Sequence, residues 1–227
     1  RAFVQLIAVG FLLKFIFVEG QVIWTVSMIL AMTFVGAYTS ARRAKGIPKP
    51  FSITILAMLI TVSIAVFLLL LLRIIPAKPM FLIPIAGMVI GNSMNTLSVA
   101  MIRLHEGIFD RREHIEAALA IGKSPRMATA SIVKKSLRLS LIPRLDTVKV
   151  GGIIHLPGAM TGMILAGASP LEAVKFQIII MYLIVGTPSI AAFIAGKLAY
   201  RRFFNTAEQL VLYHPNITDG KMKKRLL

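Results

Sequence analysis

Residues 51–75 read FSITILAMLITVSIAVFLLLLLRII, with no charged side chain before Arg73 and an unbroken leucine run from Leu68 to Leu72. A bilayer core takes ~20 mostly apolar residues per helix. This stretch meets that length, and working outward from it five further runs meet or approach it: 2–18, 22–40, 80–102, 147–168 and 173–199. The run at 2–18 is the weakest, being short and carrying Gln5 and Lys14. A soluble helical core hides one or two such runs, not this many within 227 residues. The expected fold class is therefore all-α, a polytopic transmembrane helical bundle of about six spans. Composition agrees: 57% hydrophobic, 15% charged and a mean hydropathy of +0.81, against ~45–50% and ~25% in soluble domains. An ordinary soluble enzyme and a disordered basic tail are both excluded. There is no cysteine, so no disulfide framework or thiolate metal site exists.

The formal charge of +17 comes from 26 Lys and Arg against 9 Asp and Glu. In a soluble protein such a bias suggests nucleic acid. Here the basic residues sort by loop. Arg42, Arg43, Lys45 and Lys49 follow the second run, a larger group from Arg103 to Lys149 lies between the fourth and fifth, and the tail carries the rest. If each run crosses once, all but Lys14, Arg73, Lys78 and Lys175 share one side. Cytoplasmic loops carry this excess, which places both termini in the cytoplasm and removes the need for nucleic acid.

Segment 103–146 is too polar for a span. Asp110 with Glu113 reads as a capping box, His114 to Ile121 as helix, Gly122 as its C-cap, and Pro125 as the first position of a second helix that stops near Pro143. Gly122-Lys123-Ser124 invites a phosphate-loop reading, but the pattern needs a glycine where Ala117 stands and a preceding strand. Glu116-Ala117-Ala118 followed by Gly122 resembles instead the EAA–G coupling loop of ABC-transporter permeases, which docks on the ATP-binding subunit. On that reading the small alanines permit close approach, Glu116 offers a charge, Gly122 turns the chain, and Leu119, Ile121 and Met127 supply apolar contact. Lys134 and Lys135 stand where the importer form of the motif has Leu-Pro.

The resemblance is wider than this motif. Pro84-Ile85-Ala86-Gly87-Met88 with Gly91-Asn92-Ser93-Met94 is one block, and Leu141-Ile142-Pro143 with Asp146 is another. Leu156-Pro157-Gly158-Ala159-Met160-Thr161-Gly162, Ala166-Gly167 and Ser169-Pro170 continue the set. Together, from about Gln5 to Gln209, they resemble the FetB-type (YbbM) family of iron-export permeases, which includes plant permeases linked to aluminium tolerance. The resemblance implies the membrane half of an ABC transporter, paired with a separate FetA-like ATP-binding subunit and a second copy of itself. ATP would then be bound on the partner, and no cofactor on this chain. Family members usually carry one further span before the part matching Arg1, so an N-terminal span is expected to be missing.

Polar residues inside spans are candidates for a substrate pathway. Met88, Asn92 and Asn95 share one helix face, and Gly87 and Gly91 have a close-packing spacing. Pro157 predicts a break in the fifth run near His155, with Met160 and Met163 beyond it, and Gly186 with Pro188 predicts a kink in the sixth. Asp146, at the run's edge, either attracts cations or pairs with Arg144 or Lys149. The competing view is that Asn bridges helices and Met fills gaps. No cluster of Asp, Glu and His at ligand spacing lies inside the runs, so no metal site is assigned. Ferric iron favours carboxylate or other oxygen ligands, and methionine sulfur suits softer ions. Either the metal leaves as a complex, or it is held weakly in passing, or the cargo is not a bare metal. No arrangement for hydrolysis is present either, so the chain reads as a transporter subunit and not an enzyme. The domain reading is one permease domain over 1–209 and a basic cytoplasmic tail over 210–227, in a bacterial plasma membrane. The rival is an autonomous secondary transporter or channel for a cation or small solute, which would want an ionisable residue within the membrane.

Overall fold

Helix α4, Pro79–Asp110, is the axis of the molecule. Its first turn holds a proline, where the absent N–H costs nothing, and its 32 residues extend ~48 Å at 1.5 Å per residue. That exceeds a bilayer core of ~30 Å, so the last turns project beyond it. The computed structural model describes residues 2–19, 21–150, 157–215 and 222–225. Before α4 come α1 (Ala2–Glu19), α2 (Val22–Arg43) and α3 (Pro50–Leu71); after it come α5 (Arg112–Ala120), α6 (Pro125–Val150), α7 (Gly158–Leu165) and α8 (Pro170–Ala199). α4 packs most extensively on α8, α2 and α6, while α3 closes the other side of α2 and α8.

In lipid, helices associate through close packing and interhelical hydrogen bonds, because apolar burial alone gives no advantage over lipid tails. Small residues accordingly line the crossings. A Cβ added at Gly36 on α2 would lie 2.8 Å from Met58 Cε and 2.9 Å from Ile90 Cγ2. Thr54 Oγ1 donates to the Ala37 carbonyl at 2.9 Å and Ser98 Oγ to Ser40 Oγ at 3.1 Å, tying α3 and α4 to α2. Ala57, Ala86, Ala191 and Ala195 are fully buried. The large apolar side chains Leu6, Phe11, Phe67, Leu72 and Tyr182 point outward. The α2–α3 turn folds back under the bundle: Ile47 is fully buried, and Gly46 adopts a φ of +91° against the His105 ring, where a side chain has neither the conformation nor the room.

Three sequence expectations change. First, four helices among the described residues are long and apolar enough to span: α2, α3, α4 and α8 extended to Phe203. The apolar part of α1 is shorter, Phe3–Phe17. The run at 147–168 is not one helix: α6 is described as far as Val150, and α7 starts afresh after Pro157, whose ψ of 139° is extended. The break expected at Pro157 is thus present. At 8 residues, about 12 Å, α7 cannot cross a bilayer alone.

Second, Asp110 ends α4 and caps nothing; Arg111 precedes α5 with no side-chain cap. Third, α6 does not stop near Pro143 or lie on a surface. It runs on to Val150 and returns antiparallel along α4, with Ile132 against Gly107 at one end and Arg144 reaching Asn92 at the other. Its buried seam is Thr129, Ile132, Ser136 and Ser140. Each hydroxyl of that seam is satisfied by a carbonyl of its own helix, so the seam meets α4 and α8 with no unpaired polar group. Beyond the 3-10 turn Tyr200–Phe203 two short strands of the tail, Leu212–Pro215 and Met222–Arg225, pair antiparallel.

Candidate functional site

Two regions carry the sequence candidates. The first is the α5–α6 turn. α5 is held by Ile115, 1% exposed, an anchor that sequence reading missed although it falls one residue before Glu116. Leu119 packs on the core from a half-buried position. At the end of α5 the Gly122 N–H donates to the Leu119 carbonyl at 2.9 Å and the Lys123 N–H to Ala118 at 3.0 Å. With Gly122 at φ +83°, this is the paired closure of a Schellman turn. No heavy atom lies within 4 Å of a Cβ added there, so the glycine is needed for its backbone angle and not for space. Pro125 opens α6 as expected.

The turn displays what the motif reading assigned to it. Ile121 is 75% exposed and Met127 60% exposed, with Glu116 and Ala117 exposed and Ala118 half-buried. Beside it lies an open groove of about 490 Å³, walled by Glu116, Leu119, Gly122 and Lys123 on one side and by Ala207 to Leu210 on the other. The second wall is shaped by Asn205, whose Oδ1 accepts from the Ala207 and Gln209 N–H groups at 3.0 and 2.9 Å. Sequence reading missed this wall. Its signal is the Asn205-Thr206 start of an Asx turn.

The second region is the face of α4 that looks toward α2 and α6. Asn92 and Asn95 are half-buried there. Asn92 Nδ2 donates to the Met88 carbonyl at 2.8 Å, and its Oδ1 accepts from Arg144 Nη1 at 2.6 Å. Asn95 Oδ1 accepts from Arg43 Nη1 at 3.0 Å. The asparagines thus hold arginines from two flanking helices. Met88, one turn before Asn92 on the same helix, is 38% exposed, and it also borders a crevice of about 10 Å³ against Ile180 and Ile184 of α8, barely the room of one water.

Of the two readings of Asp146, attraction of cations or pairing with Arg144 or Lys149, the structure does not show the pairing. Arg144 turns to Asn92, Asp146 is exposed, and the ion pair found among the described residues is Arg103 with Glu106, at 2.9 Å. Met160 and Met163 are half-buried on α7, which packs on α8. His155 lies outside the described residues. Gly87 is in close contact with Met32 of α2, but Gly91 has open space. Pro188 is accommodated inside a continuous α8, where Thr187 and Ser189 donate to the Leu183 and Val185 carbonyls. Among the described residues no group of three His, Asp or Glu stands ready to hold a metal ion.

Comparison with known proteins places this geometry in a family. Residues 1–204 match the family described as "Uncharacterised protein family (UPF0014)". Protein ALUMINUM SENSITIVE 3 of Arabidopsis thaliana is 43% identical over 210 residues, covering 92% of this chain and 77% of that protein. The UPF0014 membrane protein STAR2 of Oryza sativa subsp. japonica is 41% identical over 210 residues, 92% of this chain and 74% of its own length. The probable iron export permease protein FetB of Escherichia coli (strain K12) is 36% identical over 212 residues, 93% and 82% respectively. No solved structure matches. The chain belongs to the UPF0014 family of membrane proteins.

Proposed function

We propose that this member of the UPF0014 family is the permease subunit of an ATP-driven exporter, working with a separate FetA-like ATP-binding subunit that docks on the α5–α6 turn at the start of the 110–143 segment, the rest of which packs along α4. The observation that carries the reading is the glycine-closed α5–α6 turn. It leaves Ile121 and Met127 uncovered beside a 490 Å³ groove. Two large apolar side chains left exposed beside a groove suit a protein contact. The turn lies on the side that carries Arg42, Lys45 and Lys123, and the positive-inside rule assigns that side to the cytoplasm. Both chain ends then face the cytoplasm of a cell whose plasma membrane holds the protein. A second copy completes the assembly, as in other ABC transporters.

The family resemblance and the name of the E. coli relative support metal, and iron first, as the cargo. The Arabidopsis relative's name points to aluminium instead, so the shared statement is metal-linked export. Co-expression with candidate ATP-binding subunits, followed by pull-down and efflux of labelled metal, tests the reading. An ATPase is expected to co-purify, and Glu116→Lys with Gly122→Trp to abolish efflux while the chain remains in the membrane. Failure to recover any ATPase, with the double variant exporting at the parent rate, would favour the autonomous carrier instead. Equal iron retention with and without the protein removes iron as cargo.

A further inference from the structure

The asparagines of α4 are read above as holding Arg43 and Arg144, and the chemistry of that arrangement points beyond a structural pin. A carboxamide orients a guanidinium without neutralising it. Each arginine has five N–H donors in a planar fork, and one is accounted for here: Arg144 Nη1 to Asn92 Oδ1 at 2.6 Å and Arg43 Nη1 to Asn95 Oδ1 at 3.0 Å. Asn92 and Asn95 are three residues apart on one helix, where neighbouring side chains stand about 5–6 Å apart. Two like charges are therefore tied to this face of α4, Arg43 from α2, where it is exposed, and Arg144 from α6. Arg144 is half-buried, where a charge without a counter-ion is costly. Asp146 is the nearest carboxylate along α6, but positions two apart on a helix do not face the same way, and it makes no ion pair. Both guanidiniums keep their positive charge and open donors, in the geometry that matches a carboxylate or phosphate.

We infer that the Arg43–Arg144 pair, held by Asn95 and Asn92, is a binding site for a multivalent oxyanion bearing carboxylate or phosphate groups. As a statement about binding this stands without the permease reading. As a statement about cargo it rests on that reading and says that metal would leave as an anionic chelate and not as a bare cation.

The test uses the full chain in lipid nanodiscs, titrated calorimetrically with citrate, with inorganic phosphate and with ferrous ion alone, at constant ionic strength. Saturable binding of citrate or phosphate is expected, weakened at least tenfold by Arg43→Gln and by Arg144→Gln. The decisive variant is Asn92→Asp with Asn95→Asp. It keeps both arginine contacts as ion pairs while giving up the Asn92 donor to the Met88 carbonyl, so the chain should stay folded while oxyanion binding falls at least tenfold. Discs of neutral phosphatidylcholine, compared with discs containing phosphatidylglycerol, separate the sources. Suppression of citrate binding by the anionic lipid assigns the site to a headgroup, and its persistence assigns it to a soluble anion; both uphold an oxyanion site. No saturable binding of either anion, or parent-like binding by the double Asp variant, overturns the inference. So does ferrous ion binding that ignores both arginine substitutions while the anions fail. Because no ATPase is present in this assay, such a failure leaves the docking reading to its own pull-down test.

Discussion

Replacing Gly122 isolates the contribution of one backbone angle to partner docking. The residue sits at φ +83°, and a Cβ there meets no heavy atom within 4 Å. Any penalty is therefore conformational, with no clash added. An L-residue in the left-handed region costs about 1–2 kcal/mol, a factor of roughly 5–30 in the population of the closed turn. Asparagine tolerates this region and should lose little, while a β-branched side chain should lose most. The expected order of affinity for the ATP-binding subunit is thus Gly, then Asn, then Ala, then Val, with Gly122→Ala weakened about 5–30-fold. Binding of the ATPase to nanodisc-held chain measures it directly. The thermal midpoint should stay near the parent value, because the turn is exposed and the helices it joins are anchored elsewhere, at Ile115 and Ile132. Parent-like binding by Gly122→Ala and Gly122→Val would refute the role given to the turn. A loss as large for Asn as for Val would refute the backbone argument.

Other outcomes follow from the packing. Gly36→Val should overpack the crossing of α2 with Met58 and Ile90 and lower stability in detergent by about 1–3 kcal/mol, read by thermal unfolding. Ile132→Ala removes a side chain that is 4% exposed and seated on Gly107; a loss of about 2–5 kcal/mol is expected, with α6 becoming the first helix to exchange amide hydrogens. Ser98→Ala removes the donor to Ser40 and should cost about 0.5–1.5 kcal/mol in the same unfolding assay. The chain has no cysteine, so single cysteines read out orientation cleanly: Lys45→Cys and Lys123→Cys should react with impermeant maleimide only from the cytoplasmic side, and Lys78→Cys only from outside.

The spans legible in the sequence are those whose apolar character is continuous. α2, α3 and α8 were each found to within a few residues at their ends, because their apolar character is nearly unbroken. α6 was missed as a bundle helix because its signal is of another kind. It is basic and carries Pro143, yet a row of hydroxyls, Thr129, Ser136 and Ser140 around Ile132, packs it on α4 and α8. Hydropathy does not register such a seam; spacing of three and four among small polar residues does. In the turn, Gly122 and Pro125 were legible because only one residue type suits each position well. The groove beside it was not, since its far wall arrives from residues 207–210, distant in sequence. The partners of Asn92 and Asn95 were illegible for the same reason, each lying 52 positions away along the chain.

α6 is continuous from Pro125 beside the docking turn to Arg144 on the asparagine face, a distance of roughly 29 Å along its axis. Such a helix behaves as a lever arm with its handle at one site and its tip at the other. A tilt of about 5° pivoting at the Pro125 end swings the Arg144 end by about 2.5 Å over that length, comparable to the hydrogen bond that holds it. Communication between the two regions then requires no relay of side chains. Any such tilt would also slide the seam of Thr129, Ile132, Ser136 and Ser140 against α4 and α8, so the seam sets how stiff the lever is.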